Sequence, residues 1–192
     1  MNSARGKIVL ISAPSGAGKG TIIRNLLRMK PDLVFSVSAT TRAPRAGEVE
    51  GVSYSFVTRE RFSEMIKNDE FLEYAEYVGE YYGTPKIPVF ASIEAGRDIL
   101  LDIEVKGVRQ VLNKMPEAIT VFIIPPDMEE LERRLRGRGT DTEEKLLARL
   151  ELARQEMEER VSYNYIIVND SALRAAEELL VIINKTDDCK SR

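Results

Sequence analysis

Ile8-Val9-Leu10-Ile11-Ser12-Ala13-Pro14-Ser15-Gly16-Ala17-Gly18-Lys19-Gly20-Thr21 is the stretch that decides the fold. Ile8–Ile11 is a short, continuous apolar run directly after Lys7, as expected of a strand buried on both faces of a parallel sheet. A glycine-rich turn follows, then a helical pattern from about 20 to 28, stopped by Pro31. Glycines in that position let backbone N–H groups turn inward as an anion nest, and the helix N-terminus adds partial positive charge. Lys19 would reach the β- and γ-phosphates of a nucleoside triphosphate. The plainer reading is a flexible turn with a solvated lysine. The strand before it and the helix after it decide for a phosphate-binding loop.

Outward from this unit, further short apolar runs read as buried strands: Ile99–Leu101, Val121–Ile124 and Tyr165–Val168. Helical patterns lie at roughly 105–115, 127–136, 143–160 and 171–184. Strands alternating with helices predict an α/β fold, a parallel sheet flanked by helices with right-handed crossovers. From about Ser36 to Pro88 the texture changes. This segment holds every tyrosine except Tyr163 and Tyr165, and Val52–Val57 and Phe71–Val78 read as its strands. It is expected to be a lobe inserted in the core and carrying substrate contacts. A second insertion is expected at Arg136-Gly137-Arg138-Gly139-Thr140-Asp141. The chain thus reads as one domain: a core of about 6–35, 89–126 and 161–186, a lobe of about 36–88, and a short lid of about 127–160.

Composition removes whole classes of chemistry. The chain has no histidine, and its single cysteine, Cys189, lies in a polar tail. Ser-His and Cys-His nucleophiles and histidine-based zinc sites are therefore excluded. One cysteine forms no internal disulfide, which fits a reducing cytoplasm. The net charge is 28 minus 31, or −3, so no global field argues for nucleic acid. No apolar run is long enough for a membrane span, and the start of the chain does not read as a signal peptide. Nothing in the pattern sets an oligomeric state. Phosphoryl transfer passes every filter, because it depends on positioning and charge rather than on a strong base.

The loop departs from the standard G-x-x-x-x-G-K-[ST] pattern at two positions. Ala13 stands for the first glycine, and Gly20 stands where a magnesium-binding hydroxyl is expected. Thr21 supplies a hydroxyl one residue later, but a helical step turns a side chain by about 100°, so it does not inherit a direct metal contact. Gly18-Lys19-Gly20-Thr21 resembles the loop of adenylate kinases, which implies Mg²⁺ held largely through water and phosphate. Asp102, ending the Ile99–Leu101 run, could orient that ion or its waters; alternatively it is a helix N-cap or a strand-end turn.

Ser36-Val37-Ser38-Ala39-Thr40-Thr41-Arg42-Ala43-Pro44-Arg45-Ala46-Gly47-Glu48-Val49-Glu50-Gly51-Val52-Ser53-Tyr54-Ser55-Phe56-Val57 closely resembles the GMP-binding stretch of guanylate kinases. The resemblance continues through Glu70–Ala75, Tyr81–Thr84, Leu101–Val108, Arg136–Glu144 and Ile167–Asp170, covering about 6 to 184. It implies transfer of a phosphoryl group from ATP to GMP, giving ADP and GDP, within purine nucleotide metabolism. It also implies site roles, each with a physical reason. Arg42 and Arg45, with Tyr54 and Tyr82, would grip the GMP phosphate. Glu73 would accept guanine N1–H and N2–H, two adjacent donors that adenine does not present. Ser38 and Thr84 would complete the base contacts, and Glu104, where the family often has aspartate, would read the amino group. Lys106, where glutamine is frequent, has no assigned role. ATP would lie on Ala13, Pro14, Ser15, Gly16, Ala17, Gly18, Lys19, Gly20 and Thr21, with Asn169 on the adenine side.

Arg133, Arg134 and Arg136 each follow a glutamate by four residues, which predicts surface ion pairs, and Arg133 and Arg134 are left there. Arg138 lies in the glycine-rich loop, and Arg149 lies off the apolar stripe Leu146, Leu150, Ala153 and Met157. The resemblance implies that both close over the phosphates. ATP and GMP together carry roughly six negative charges, which Lys19, Arg42, Arg45, Arg138, Arg149 and Mg²⁺ would offset. Lobe and lid are expected to close and expel water.

Three rivals stand beside this reading. Another nucleoside monophosphate kinase would share the loop but not prefer GMP. A non-catalytic guanylate-kinase-like interaction domain would typically lose the loop, which is present here. A generic ATPase or GTPase switch leaves the Ser36–Val57 segment unexplained, and Asn184-Lys185-Thr186-Asp187 follows a helical pattern instead of a strand.

Overall fold

The computed structural model describes residues 5–77, 79–137 and 142–185. The chain divides into two units, Met1–Leu10 with Asp32–Ile119, and Ile11–Pro31 with Thr120–Arg192. A five-stranded sheet has the strand order β2-β7-β1-β8-β9, from β2 (Val34–Phe35), β7 (Ile99–Asp102), β1 (Ile8–Ser12), β8 (Ile119–Ile124) and β9 (Tyr165–Val168). β2 runs parallel to β7, with Val34 opposite Ile99, and β8 parallel to β9, with Val121 opposite Tyr165. All five residues of β1 are buried, as its apolar run predicts. This is the expected α/β sheet flanked by helices.

β9 departs from expectation. Only Ile167 of its four residues is buried, while Tyr165, Ile166 and Val168 are exposed. An apolar run reads as buried on both faces, but β9 ends the strand order.

In the second unit, α1 (Lys19–Met29) buries Ile22, Ile23 and Leu26 and packs along α7 (Ala172–Lys185). α5 (Met128–Arg136) and α6 (Glu143–Glu158) close on each other through Leu131, Leu135, Leu146, Leu150 and Ala153. Met157, expected on that stripe, is half-buried. A 3-10 turn, Glu159–Ser162, replaces the last residues of the predicted helix. Asn184 and Lys185 lie in α7, so the GTPase-like tetrapeptide begins in a helix.

In the first unit, residues 36–88 build a mixed sheet of order β4-β3-β6-β5, from β3 (Ala39–Thr40), β4 (Ser55–Phe56), β5 (Phe71–Tyr77) and β6 (Glu80–Pro85). β3 runs parallel to β4 and antiparallel to β6, which pairs antiparallel with β5. The strand expected over Val52–Val57 shrinks to Ser55–Phe56, because Gly51, at φ +71°, opens a turn that takes Val52 out to solvent.

Three elements have weak signals in sequence. α2 (Arg59–Lys67) is nine residues long and mostly polar, yet Thr58 caps it by accepting from the Arg61 N–H at 3.1 Å. Its Phe62 stacks on Phe71 with centroids 4.4 Å apart, making the lobe's apolar centre with Ala39 and Met65. α3 (Lys86–Glu94) lacks a clean apolar stripe and carries Pro88 in its first turn. β6 contains Gly83, a poor strand former, and ends on Pro85. In this unit α4 (Val105–Lys114) packs on β5.

Candidate active site

The phosphate loop is built within the second unit. Gly16 and Gly18 have φ of +94° and +92°, left-handed values that favour glycine. Space restricts them as well. A Cβ on Gly18 would lie 2.4 Å from Asn169 Nδ2, and one on Gly16 2.7 Å from Leu135 Cδ2. The Ala17 N–H donates to Pro14 O at 3.0 Å, closing the turn. Ala13 has no positive φ and its methyl is buried, so glycine is not required where the standard pattern has it.

The Ala17 carbonyl accepts two side-chain bonds, from Asn169 Nδ2 at 2.6 Å and Arg134 Nη1 at 3.1 Å. Arg134 Nη2 also donates to Asn169 O at 2.8 Å, and its Nε to Glu130 Oε1 at 2.7 Å. Arg134 is therefore more than a surface pair: beyond its i−4 glutamate it ties the loop to the strand end at Asn169. Helical spacing reports the glutamate partner alone, since the loop and Asn169 are remote in sequence. Arg133 pairs with Glu130 three residues back, not with Glu129. Both arginines, Arg133 first, hold the Glu130 carboxyl down at about 2. Arg136 pairs with Glu132 as expected and also with Glu143 of α6. From α6, Arg149 Nη2 donates to Ser15 Oγ at 2.6 Å, so this arginine reaches the loop. Arg138 lies outside the described residues.

Within the first unit, a second cluster surrounds Arg42. Its Nη1 and Nη2 donate to the two Glu48 oxygens at 2.9 and 2.8 Å, a bidentate pair. Glu48 Oε2 also accepts the Arg45 backbone N–H at 2.7 Å. Arg42's hydrogen bonds, followed by that N–H, hold the Glu48 carboxyl down at about 2, and the same pair raises the guanidinium. Arg42 Cζ lies 5.4 Å from the Tyr54 ring centre, and the Tyr54 and Tyr82 rings meet edge-on at 6.0 Å. Burial, then the Asp102 charge, pushes the Tyr54 hydroxyl up, so Asp102 acts electrostatically on this cluster. The Arg45 side chain is exposed.

Glu73 stands on β5 opposite Thr84 of β6 and is 5% exposed. Thr84 Oγ1 donates to Glu73 Oε1 at 2.6 Å. Burial pushes this carboxyl up, Thr84 opposes that, and Glu104 adds to the rise. Ser38 is half-buried; its carbonyl accepts from the Ser55 N–H at 2.9 Å. Glu104 is the exposed residue preceding α4.

The family described as guanylate kinase matches residues 5–186. This chain belongs to the guanylate kinase family. A guanylate kinase of Trichodesmium erythraeum is 51% identical over 166 residues, covering 86% of this chain and 89% of that one. Another, of a Synechococcus strain, is 48% identical over 181 residues, covering 94% and 83%. The solved guanylate kinase of Anaplasma phagocytophilum superposes with a TM-score of 0.80 at 34% identity, covering 95% of this chain and 87% of that one.

Set in a guanylate kinase, two groups of expected residues are brought together: the loop with Asn169 and Arg149, and Arg42 with Tyr54 and Tyr82. Glu73 and Thr84 form a third. Sequence reasoning missed Glu48, although it lies in the quoted motif, because its pairing with Arg42, six residues back, follows no helix or strand spacing. Among the described residues no three acidic, cysteine or histidine side chains converge to hold a metal. No helix among them is long and apolar enough to cross a membrane.

Proposed function

We propose that this chain transfers the terminal phosphoryl group of ATP to GMP. One observation carries the choice of acceptor: Glu73, a buried carboxylate, has one oxygen tied to Thr84. An ionised carboxylate only accepts, and adjacent N–H donors on guanine N1 and N2 complement it. In this reading Thr84 and Ser38 complete the base contacts, and Glu104 takes part of the amino group.

Arg42 would take the GMP phosphate. Its Nε–H is buried and has no acceptor among the described atoms, although both of its Nη atoms are engaged. A phosphate oxygen supplies that acceptor, with Arg45, Tyr54 and Tyr82 adding donors. Glu48 keeps the fork oriented until the phosphate arrives.

On the ATP side the loop N–H groups and Lys19 would hold the β- and γ-phosphates, and Asn169 would stand toward the adenine. Arg149 and Arg138 would meet charge as it spreads over the transferring group. The GMP phosphate is already anionic, so no strong base is needed. The candidate oxygens for a metal, the Thr21 hydroxyl, which accepts from Arg24 Nη2 at 3.0 Å, and the Asp102 carboxylate, are hard and would suit Mg²⁺ through its waters. Mg²⁺ would supply charge neutralisation on the phosphates. The lobe of about 36–88 and the lid of about 127–160 would exclude water from the reaction. The single cysteine supports a cytoplasmic setting, and the net charge of −3 supports small-molecule partners over nucleic acid.

The test is ADP release with ATP and each of GMP, AMP, CMP and UMP. GMP is expected to be preferred and GDP to form one-for-one with ADP; preference for AMP overturns the acceptor assignment. The metal reading has its own check, because a Cβ on Gly20 meets nothing within 4 Å and serine fits there. Gly20→Ser is expected to lower the Mg²⁺ concentration needed for half-maximal rate by supplying the hydroxyl the loop lacks. An unchanged Mg²⁺ dependence would support a wholly water-mediated ion.

A further inference from the structure

The strand that carries Glu73 is bulged immediately before it. Phe71 faces Pro85 and Glu73 faces Thr84, so Leu72 is an extra residue on β5 with no partner on β6. Such a bulge disrupts the local ladder and re-aims the next side chain. Lys114 Nζ donates to both bulge carbonyls, Phe71 O at 3.2 Å and Leu72 O at 2.7 Å. On the other side of Glu73, Gln110 holds the backbone of Tyr74. Its Nε2 donates to the Tyr74 carbonyl at 2.8 Å, and its Oε1 accepts the Tyr74 N–H at 3.2 Å. Opposite the carboxylate itself sits Gly107. A Cβ there would lie 2.5 Å from Glu73 Oε2 and 3.1 Å from its Cδ.

Gly107, Gln110 and Lys114 are spaced i, i+3 and i+7, so they share one face of α4. We propose that this face of α4 sets base specificity: Lys114 and Gln110 pin β5 on either side of Glu73, and Gly107 leaves the room its carboxylate occupies. The proposal rests on Glu73 being the guanine reader. All three act through Glu73 and are positioning residues.

The glycine has no backbone reason to be there. Its φ is not positive, and alanine is the better helix former. What it supplies is space. Glu73 is buried and tied to Thr84, so an added methyl displaces the mobile end of the side chain, the carboxylate, and not the backbone. A shift of about 1 Å is enough to spoil a pair of hydrogen bonds to a base. Lys114 contributes charge as well as reach, favouring the ionised form of Glu73 against its burial.

The experiment is steady-state kinetics at saturating ATP with GMP and IMP, which keeps N1–H and lacks the 2-amino group. Gly107→Ala is expected to raise KM for GMP about 10- to 100-fold, the loss of one or two charge-assisted hydrogen bonds. Its kcat should stay within about threefold and its GMP-over-IMP preference should shrink, since the change touches base reading and not chemistry. Glu73→Asp, one methylene shorter, should restore much of the GMP KM when added to Gly107→Ala. Gln110→Ala and Lys114→Met should show the same KM-against-kcat split, about 3- to 10-fold. A folded Gly107→Ala with wild-type KM and preference overturns the proposal, as does a rise shared equally by GMP and IMP or a failed aspartate rescue. If Gly107→Ala does not fold, wild-type KM in both Gln110→Ala and Lys114→Met overturns it. Glu73→Gln, run alongside, separates the two layers: if it keeps full preference for GMP, the underlying reading of Glu73 is what fails.

Discussion

Glu73→Gln is expected to lower kcat/KM for GMP by about 10³-fold, on the scale of losses seen when a site built to hydrogen-bond its substrate is left mismatched. The glutamine amide can place one acceptor toward guanine, but its NH₂ then faces a second donor. The same substitution should make the protein more stable at neutral pH. Burial raises the Glu73 carboxyl above the ordinary glutamate range. A group with a raised folded-state value contributes its full stability below the unfolded value and loses it as pH rises through the folded one. At pH 7.5 the carboxylate therefore weighs against folding, and a neutral glutamine does not. Thermal unfolding of wild type and variant should differ at pH 7.5, in favour of the variant, and converge toward pH 4. Catalysis should show the mirror image. KM for GMP should rise as pH falls through the raised Glu73 value, at a higher pH than an exposed glutamate would give. The GMP phosphate titrates in both proteins, so the difference between the two profiles isolates Glu73.

Arg149→Ala is the second large effect, expected to cut kcat by about 10³-fold, at the low end of what an arginine on a transferring phosphoryl group contributes. The guanidinium comes from α6, the helix clamped to α5 by Leu146, Leu150 and Ala153, and meets Ser15 Oγ in the loop. Its placement rests on that helix pair. KM for GMP should change only a few-fold, because the base and phosphate contacts assigned to GMP lie on other residues. Single-turnover phosphoryl transfer at saturating ATP and GMP checks this. An unchanged rate removes Arg149 from the mechanism.

The parts of the fold legible in sequence were those whose pattern is local. Ile8–Ile11 before a glycine turn is a strand because nothing else buries four consecutive apolar residues and then bends so tightly. The elements that escaped have signals set by tertiary pairing. β3 is two residues long and exists only through its neighbours β4 and β6. α2 is polar along most of its length and is held by Phe62 against Phe71. β9 was legible as a strand, but its apolar letters read as buried, and only the strand order shows it to be an edge.

The candidate site divides in the same way. Lys19, Arg42, Tyr54, Glu73 and Tyr82 sit in motifs whose order is diagnostic, so sequence alone makes them candidates. Arg134 is not among them, because the residues it ties together, Ala17 and Asn169, are 152 positions apart in the chain. Gly107, Gln110 and Lys114 are invisible for a related reason. Their meaning comes from the Leu72 bulge on another element, and helix periodicity alone describes them as an ordinary face.

In this reading the chain phosphorylates GMP because a buried, ionised Glu73 reads guanine. The most direct measurement is the ratio of kcat/KM for GMP to that for AMP, in wild type and in Glu73→Gln. The expected result is a wild-type ratio of at least about 10³ that collapses toward unity in the variant, with most of the change in the GMP value. A wild-type preference for AMP, or a ratio that Glu73→Gln leaves intact, would contradict it.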